Sequence, residues 1–294
     1  MNLVVGATGL VGSEICRRVA AQGKPVRALV RSTSDPAKIE KLKNLGIELA
    51  SGDLRDRASL DTACRGTKAV LSTASSTVSR QAGDSIQSVD LEGQLSLIDA
   101  ARSAGVEQFV YVSFRDKPGL EFPLQTAKRQ VEQHLKQSGL AYAILQASPF
   151  MEIWLSPALG FDAANARARI YGTGHNKISW VSFRDVAHFA AASLDNPRAR
   201  HAVIGVAGPE PLSPLEVVRI FEEVSGKKFT VEHVPEEALR AQKAAAADPM
   251  QDTFAGLMLF YSGGDEVDMR ATLAAFPTQL TSVRDYARAV LQVK

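Results

Sequence analysis

The segment Gly6-Ala7-Thr8-Gly9-Leu10-Val11-Gly12 lies between an apolar run at Asn2–Val5 and an amphipathic stretch that continues to Ala21. No other feature limits the possible folds of this chain as strongly. At a strand-to-helix turn, the first glycine of such a triplet makes the tight turn. The second lets backbone approach a pyrophosphate, and the third lets helix and strand pack closely. The helix that follows points its first amides and the positive end of its dipole at the same place, where phosphate oxygens are favoured. The order strand, loop, helix therefore predicts a βαβ unit whose first turn holds a dinucleotide through Gly6, Thr8, Gly9, Leu10, Val11 and Gly12.

The rest of the first half repeats this alternation. Short apolar runs stand at Val26–Val30, Ile47–Ala50, Ala69–Leu71, Phe109–Val112 and Tyr142–Leu145. Helical patterns lie between them at Pro36–Asn44, Leu60–Ala63, Val89–Ala104 and Thr126–Ser138. Runs that are apolar at successive positions read as strands covered on both faces. Gly23, Gly46, Gly105 and Gly139 each stand between a helix and a strand, where a left-handed helix cap belongs. We therefore expect an α/β fold, with a Rossmann-type, doubly wound parallel sheet over residues 1–150.

Past Gln146 the alternation stops. The pattern predicts a helix over Phe183–Leu194, a strand at Ala202–Val206, and a helix opening at Ser213 with Pro214 first and Glu216 closing a capping box. An Ala-rich helix near Glu236–Ala247 and a last helix near Ser282–Gln292 complete the chain. Residues 151–294 are expected to form a smaller α+β substrate-binding region, interleaved with the first domain.

Composition excludes several roles. Thirty-four Lys and Arg against 32 Asp and Glu leave a net charge of +2, too small for a nucleic-acid-binding surface. No apolar stretch approaches the roughly 20 residues that cross a bilayer. No basic segment precedes Met1–Val5, so a soluble, cytoplasmic protein is expected. Cys16 and Cys64 stand singly within helical patterns, without metal-ligand spacing, and read as reduced packing residues.

The second strand ends Leu29-Val30-Arg31. An acidic residue there would bond the ribose hydroxyls of NAD. A guanidinium instead pairs with a 2′-phosphate, so Arg31 favours NADP(H). Asp53, after the third strand, stands either to meet the adenine amino group or to cap the turn or helix that follows. Thr73, Ala74 and Ser75, after the fourth, are small residues that let a dinucleotide pass the sheet edge.

Enzymes of this architecture often carry tyrosine and lysine four apart on one helix face. Here the residues four after Tyr111, Tyr142, Tyr171, Tyr261 and Tyr286 are Arg115, Gln146, His175, Asp265 and Val290, so no such pair exists. Lys128 is on the expected helix, but Leu124 occupies the tyrosine position.

The chain nonetheless resembles the NmrA-like group of atypical short-chain dehydrogenases/reductases, which includes triphenylmethane reductase-like, quinone oxidoreductase-like and isoflavone reductase-like enzymes. The resemblance covers nearly the whole chain. It rests on GATGLVG, RALVRS, SGDLRD, GVEQFVYVSF, KRQVEQHLKQSGLAYAILQASPFME and WVSFRDVAHFAAASL. It implies that Lys128 lies near the nicotinamide ribose and serves as the catalytic candidate, with Leu54, Pro149 and Phe150 joining the cofactor site. The chain departs from related enzymes at Phe114, where a Ser or Thr is often kept, and at Gln146, where an Arg commonly stands.

Reducing a simple ketone makes an alkoxide that needs a proton donor. A quinone, enone or dye instead takes hydride into a delocalised product. The expected function is therefore an NADPH-dependent reductase of small electron-poor acceptors, with Phe114, Phe150, Trp154 and Phe161 lining the pocket. The resemblance equally implies a rival reading, a non-catalytic NADP(H)-binding sensor or scaffold. Epimerisation is disfavoured by the tyrosine survey.

Overall fold

The computed structural model describes residues 1–78 and 81–292. Along the chain lie β1 (Asn2–Val5), α1 (Leu10–Ala21), β2 (Val26–Val30), α2 (Pro36–Asn44), β3 (Glu48–Ser51), α3 (Arg57–Cys64) and β4 (Ala69–Ser72). A π-helical segment (Ile86–Glu92) then runs into α4 (Gly93–Ser103), followed by β5 (Gln108–Phe114), α5 (Pro123–Gln137) and β6 (Ala141–Ala147). Next come α6 (Met151–Trp154), β7 (Phe161–Asp162), β8 (Arg167–Tyr171), α7 (Phe183–Ala192), β9 (Ala202–Val206), α8 (Pro214–Ser225) and β10 (Thr230–Val234). Four helices follow, α9 (Glu236–Ala244), α10 (Pro249–Ser262), α11 (Arg270–Ala275) and α12 (Val283–Leu291).

These elements form two compact units. The first comprises Met1–Phe114, Pro123–Gln146 and Val186–Ile204; the second comprises Arg115–Phe122, Ala147–Asp185 and Gly205–Lys294. The main sheet has seven strands in the order β3-β2-β1-β4-β5-β6-β9. β1 runs parallel to β2 and β4, β2 to β3, and β4 to β5. The doubly wound sheet is thus as the alternation predicts, and its strand order reverses between β1 and β4. Val5 is in register with Ser72, so Gly6 and Thr73 leave the sheet side by side.

The strands are apolar on both faces because both are covered. Leu3, Val70, Phe109, Tyr111 and Ile144 pack in one cluster with Leu60 of α3, Leu97 and Ile98 of α4, and Val131 and Leu135 of α5. Burying each large aliphatic contributes roughly 1.5–3 kcal/mol. Cys16 and Cys64 are buried free thiols, as expected of packing residues. The helix expected over Val89–Ala104 differs. It starts at Ile86, capped by a Ser85–Ser88 capping box, and its first turns are π-helical before Gly93. Extra residues in a turn re-aim the side chains they carry, and Asp90 is among them.

The second unit has a three-stranded sheet, β10-β8-β7, with β8 parallel to β10 and antiparallel to β7. Its core gathers Ile170, Ile178, Trp180, Val217 and Phe221. The Ser213–Glu216 capping box forms as the sequence predicts. Helix α10 was not expected. It buries eight of its residues, including Gly256, Met258, Leu259 and Phe260, and a helix covered on most sides shows little amphipathic period. Among the described residues no helix is long and apolar enough to cross a membrane, and no three metal-ligating side chains cluster.

Candidate functional site

At the strand-order reversal, Gly6 adopts φ +85°, and the Gly9 amide donates to its carbonyl at 2.9 Å, closing the turn. A Cβ on Gly6 would stand 2.6 Å from Thr73 Oγ1 and 2.9 Å from the Ala74 nitrogen. One on Gly12 would stand 2.1 Å from the Gly6 carbonyl oxygen. Both positions therefore admit only glycine. Gly9 precedes helix α1 at its cap position and gives it no side-chain hydrogen bond, and the first turn holds no acidic residue. Its first amides thus depend on no side chain, and Leu10 beside them is 48% exposed. Thr8, Val11, Thr73, Ala74 and Ser75 are partly buried around this turn. Glycines leaving room for backbone, bare helix amides and an exposed apolar side chain together fit a pyrophosphate and its attached ring.

The segment after β4 is held from below by two side chains of the helix that starts at Ile86. Gln94 Oε1 accepts from Ser72 Oγ at 2.8 Å, and Gln94 Nε2 donates to the Ala74 carbonyl at 3.2 Å. Asp90 Oδ2 accepts from the Ser76 amide at 3.0 Å and from its hydroxyl at 2.5 Å. Sequence reading missed both, although buried polar residues at i and i+4 on an otherwise apolar helix face were a usable signal.

Arg31, just past β2, donates from Nη1 to Asp84 Oδ1 at 3.0 Å and Oδ2 at 2.9 Å. Asp53 is bound by Arg55, whose Nε and Nη2 lie 3.0 and 2.8 Å from its two oxygens. That guanidinium holds the Asp53 carboxyl below the usual carboxylate range. Leu54 between them is buried in the core at 7% exposure.

Lys128 is buried on α5. Its Nζ lies 4.7 Å from the Tyr111 ring centroid and 3.4 Å from the Val112 carbonyl oxygen. Burial pulls its pKa down, while Asp90 and Glu132 oppose that and Arg129 adds to it. Tyr111 is wholly buried, and its hydroxyl has no hydrogen-bond partner among the described residues. Burial pushes its pKa well above the usual tyrosine range. A survey at helical spacing could not pair these two, because Tyr111 is on a strand. Glu132 binds Arg129 at 2.7 Å and Gln146 at 3.2 Å, and Arg129 also donates to Ser113 Oγ and to the Phe114 carbonyl. The two positions where the chain departs from related enzymes, Phe114 and Gln146, thus share Arg129 and Glu132.

In the second unit, Pro149 and Phe150 lead into α6, with the Pro149 carbonyl accepting from the Val181 amide at 3.1 Å. Trp154, partly exposed, stacks on Tyr261 with centroids 4.7 Å apart and planes at 14°. Phe161 is 4% exposed and packs against Phe221 and Phe229, so its ring belongs to that unit's core.

The NmrA-like family model matches residues 2–287. The chain belongs to the NmrA-like family. One relative, the NAD(P)H azoreductase of Xenophilus azovorans, is 31% identical over 88% of this chain and 85% of its own. Another, the photosystem II assembly factor Ycf39 of Synechocystis sp., is 32% identical over 82% of this chain and 73% of its own. Among solved structures, an NADPH-dependent quinone oxidoreductase of Escherichia coli complexed with NADPH superposes with a TM-score of 0.79. It covers 99% of both chains at 23% identity, a likeness of fold.

Proposed function

We propose that this NmrA-like protein binds NADP(H) and reduces a flat, electron-poor acceptor such as a quinone, a conjugated enone or an azo or other dye-like compound. The observation that carries this reading is the approach of Gly6 to Thr73 and Ala74 at the reversal of strand order, where open α/β sheets bind ligands. The Gly6–Gly12 turn and the first amides of α1 hold the pyrophosphate, and Arg31 meets the 2′-phosphate. The bound reduced nicotinamide supplies a hydride.

The family resemblance puts Lys128 beside the nicotinamide ribose, and its buried amine gives up a proton more readily than an exposed lysine. Tyr111, whose ring lies beside it, is wholly buried, which argues against its hydroxyl as a proton donor to substrate. This disposition suits acceptors that take hydride into a delocalised product, with solvent supplying afterwards the one proton that a quinone, enone or azo acceptor requires. Within the second unit, Phe150 and Trp154 remain the candidates for apolar lining. The azoreductase relative supports the reading.

The assembly-factor relative favours a second reading, a scaffold that binds NADP(H) without turnover. Fluorescence titration with NADPH and NADH, followed by quinone, enone and azo-dye acceptors while the reduced-cofactor absorbance is recorded, separates the two. Acceptor-dependent loss of that absorbance supports the reductase. Tight binding with no loss for any acceptor supports the scaffold, and no binding of either cofactor rejects both.

A further inference from the structure

The groups at the carboxyl ends of β2 and β3 form a single cluster. Arg31 follows β2, and Arg55 lies in the turn that follows β3, the adjacent parallel strand. Both reach the same carboxylate. Asp84 takes Arg31 Nη1 at 2.9 Å and lies 3.7 Å from Arg55 Nη1. The Asp84 side chain is 1% exposed, whereas those of Arg31 and Arg55 are 23% and 34% exposed. The carboxylate is therefore underneath, and the guanidinia form the surface above it.

Two further contacts fix Arg55 in this place. Its Nη1 donates to the Ala82 carbonyl at 3.1 Å, and Gly83, at φ +81°, passes so close that a Cβ there would stand 2.5 Å from the same nitrogen. Arg55 Nε and Nη2 also hold Asp53, so the guanidinium is ordered before any ligand arrives. Because Arg31 hydrogen-bonds this buried carboxylate and Arg55 forms an ion pair with it at 3.7 Å, the two guanidinia are close enough for one tetrahedral phosphate to accept from both.

Resting on the NADP(H) reading above, we propose that Arg55 shares the adenosine 2′-phosphate with Arg31, and that Asp84 holds the pair in place beneath it. Discrimination between NADPH and NADH is then set by two cations from neighbouring strand ends. Arg55 stands beside the motif that the sequence assigns to adenine, which is why a search for a single arginine after β2 passes it over.

The test is fluorescence titration of the full chain with NADPH and NADH, for the wild type, Arg31→Gln, Arg55→Gln and Arg55→Lys. The expected result is that Arg55→Gln raises the NADPH Kd about tenfold and leaves the NADH Kd within about twofold, with Arg55→Lys in between. NADH binding by the same variant shows that it is folded. An unchanged NADPH Kd in Arg55→Gln, or an equal rise for both cofactors, overturns the proposal. Wild-type protein that binds neither cofactor instead rejects the NADP(H) reading on which it rests.

Discussion

The ammonium of Lys128 lies 4.7 Å from the centre of the Tyr111 ring, and both side chains are buried. The ring face provides a partner for the cation, but the hydroxyl at the other end of the same ring has none. Tyr111 therefore serves Lys128 with its ring and not with its hydroxyl. Tyr111→Phe should leave acceptor reduction unchanged and raise stability by up to about 1 kcal/mol, because an unsatisfied buried hydroxyl is removed. Urea unfolding and steady-state assays measure the two. A tenfold loss of kcat would show that the hydroxyl takes part in the reaction.

The same burial makes a prediction about pH. The unfolded lysine keeps its proton up to about 10.5, while the folded one, depressed by desolvation, loses it earlier. Between those two values the unfolded state binds more protons, so the contribution of Lys128 to stability rises with pH. The stability of wild type minus that of Lys128→Met should climb as pH rises toward 10.5, with a slope no greater than about 1.4 kcal/mol per pH unit. Denaturant titrations at several pH values read it directly, and a flat difference would contradict a depressed pKa.

Gly12→Ala places a methyl group 2.1 Å from the Gly6 carbonyl oxygen, against backbone that cannot rotate away. A cost of about 2 kcal/mol or more is expected, together with loss of NADPH binding. Calorimetric melting and cofactor titration would register both, and an unaltered melting temperature would argue against the close packing of α1 on β1.

Trp154, stacked on Tyr261 and partly exposed, is the proposed lining residue whose change separates acceptor from cofactor binding. Trp154→Leu should raise the acceptor KM about tenfold while the NADPH Kd stays the same. Equal effects on both would remove Trp154 from the acceptor site.

Burial pushes the thiols of Cys16 and Cys64 up to about 12 and about 11. At pH 8 iodoacetamide should label neither in the folded protein and both in denaturant, as intact mass would show. Rapid labelling under native conditions would mean that α1 or α3 opens readily.

Legibility in the sequence followed local pattern rather than burial. The strand Val26–Val30 and the helix Pro36–Asn44 carry plain patterns with clear stops, and their ends are as expected. The glycine turn was legible because its chemistry is local. The ion cluster was not, since Asp84 is 53 residues from Arg31 and nothing between them marks the return. Tyr111 and Lys128 were hidden likewise, because they meet across strand and helix. In the second unit, Arg167–Tyr171 alternates exposed and buried positions and offered a strand signal that the surrounding glycines obscured. Helix α10 offered little, being apolar on most sides.

The path of the chain through its two units has a consequence for handling and synthesis. The sheet is completed by β9, which lies next to β6 in the sheet, although some 55 residues separate the two in sequence and the intervening Ala147–Asp185 belongs to the second unit. A protein cut after residue 150 would lack this last strand and leave β6 as an open edge, inviting aggregation. On the ribosome, likewise, the nucleotide-binding sheet cannot be finished until residue 206 has emerged, so most of the chain must be made before the first 150 residues have their full framework.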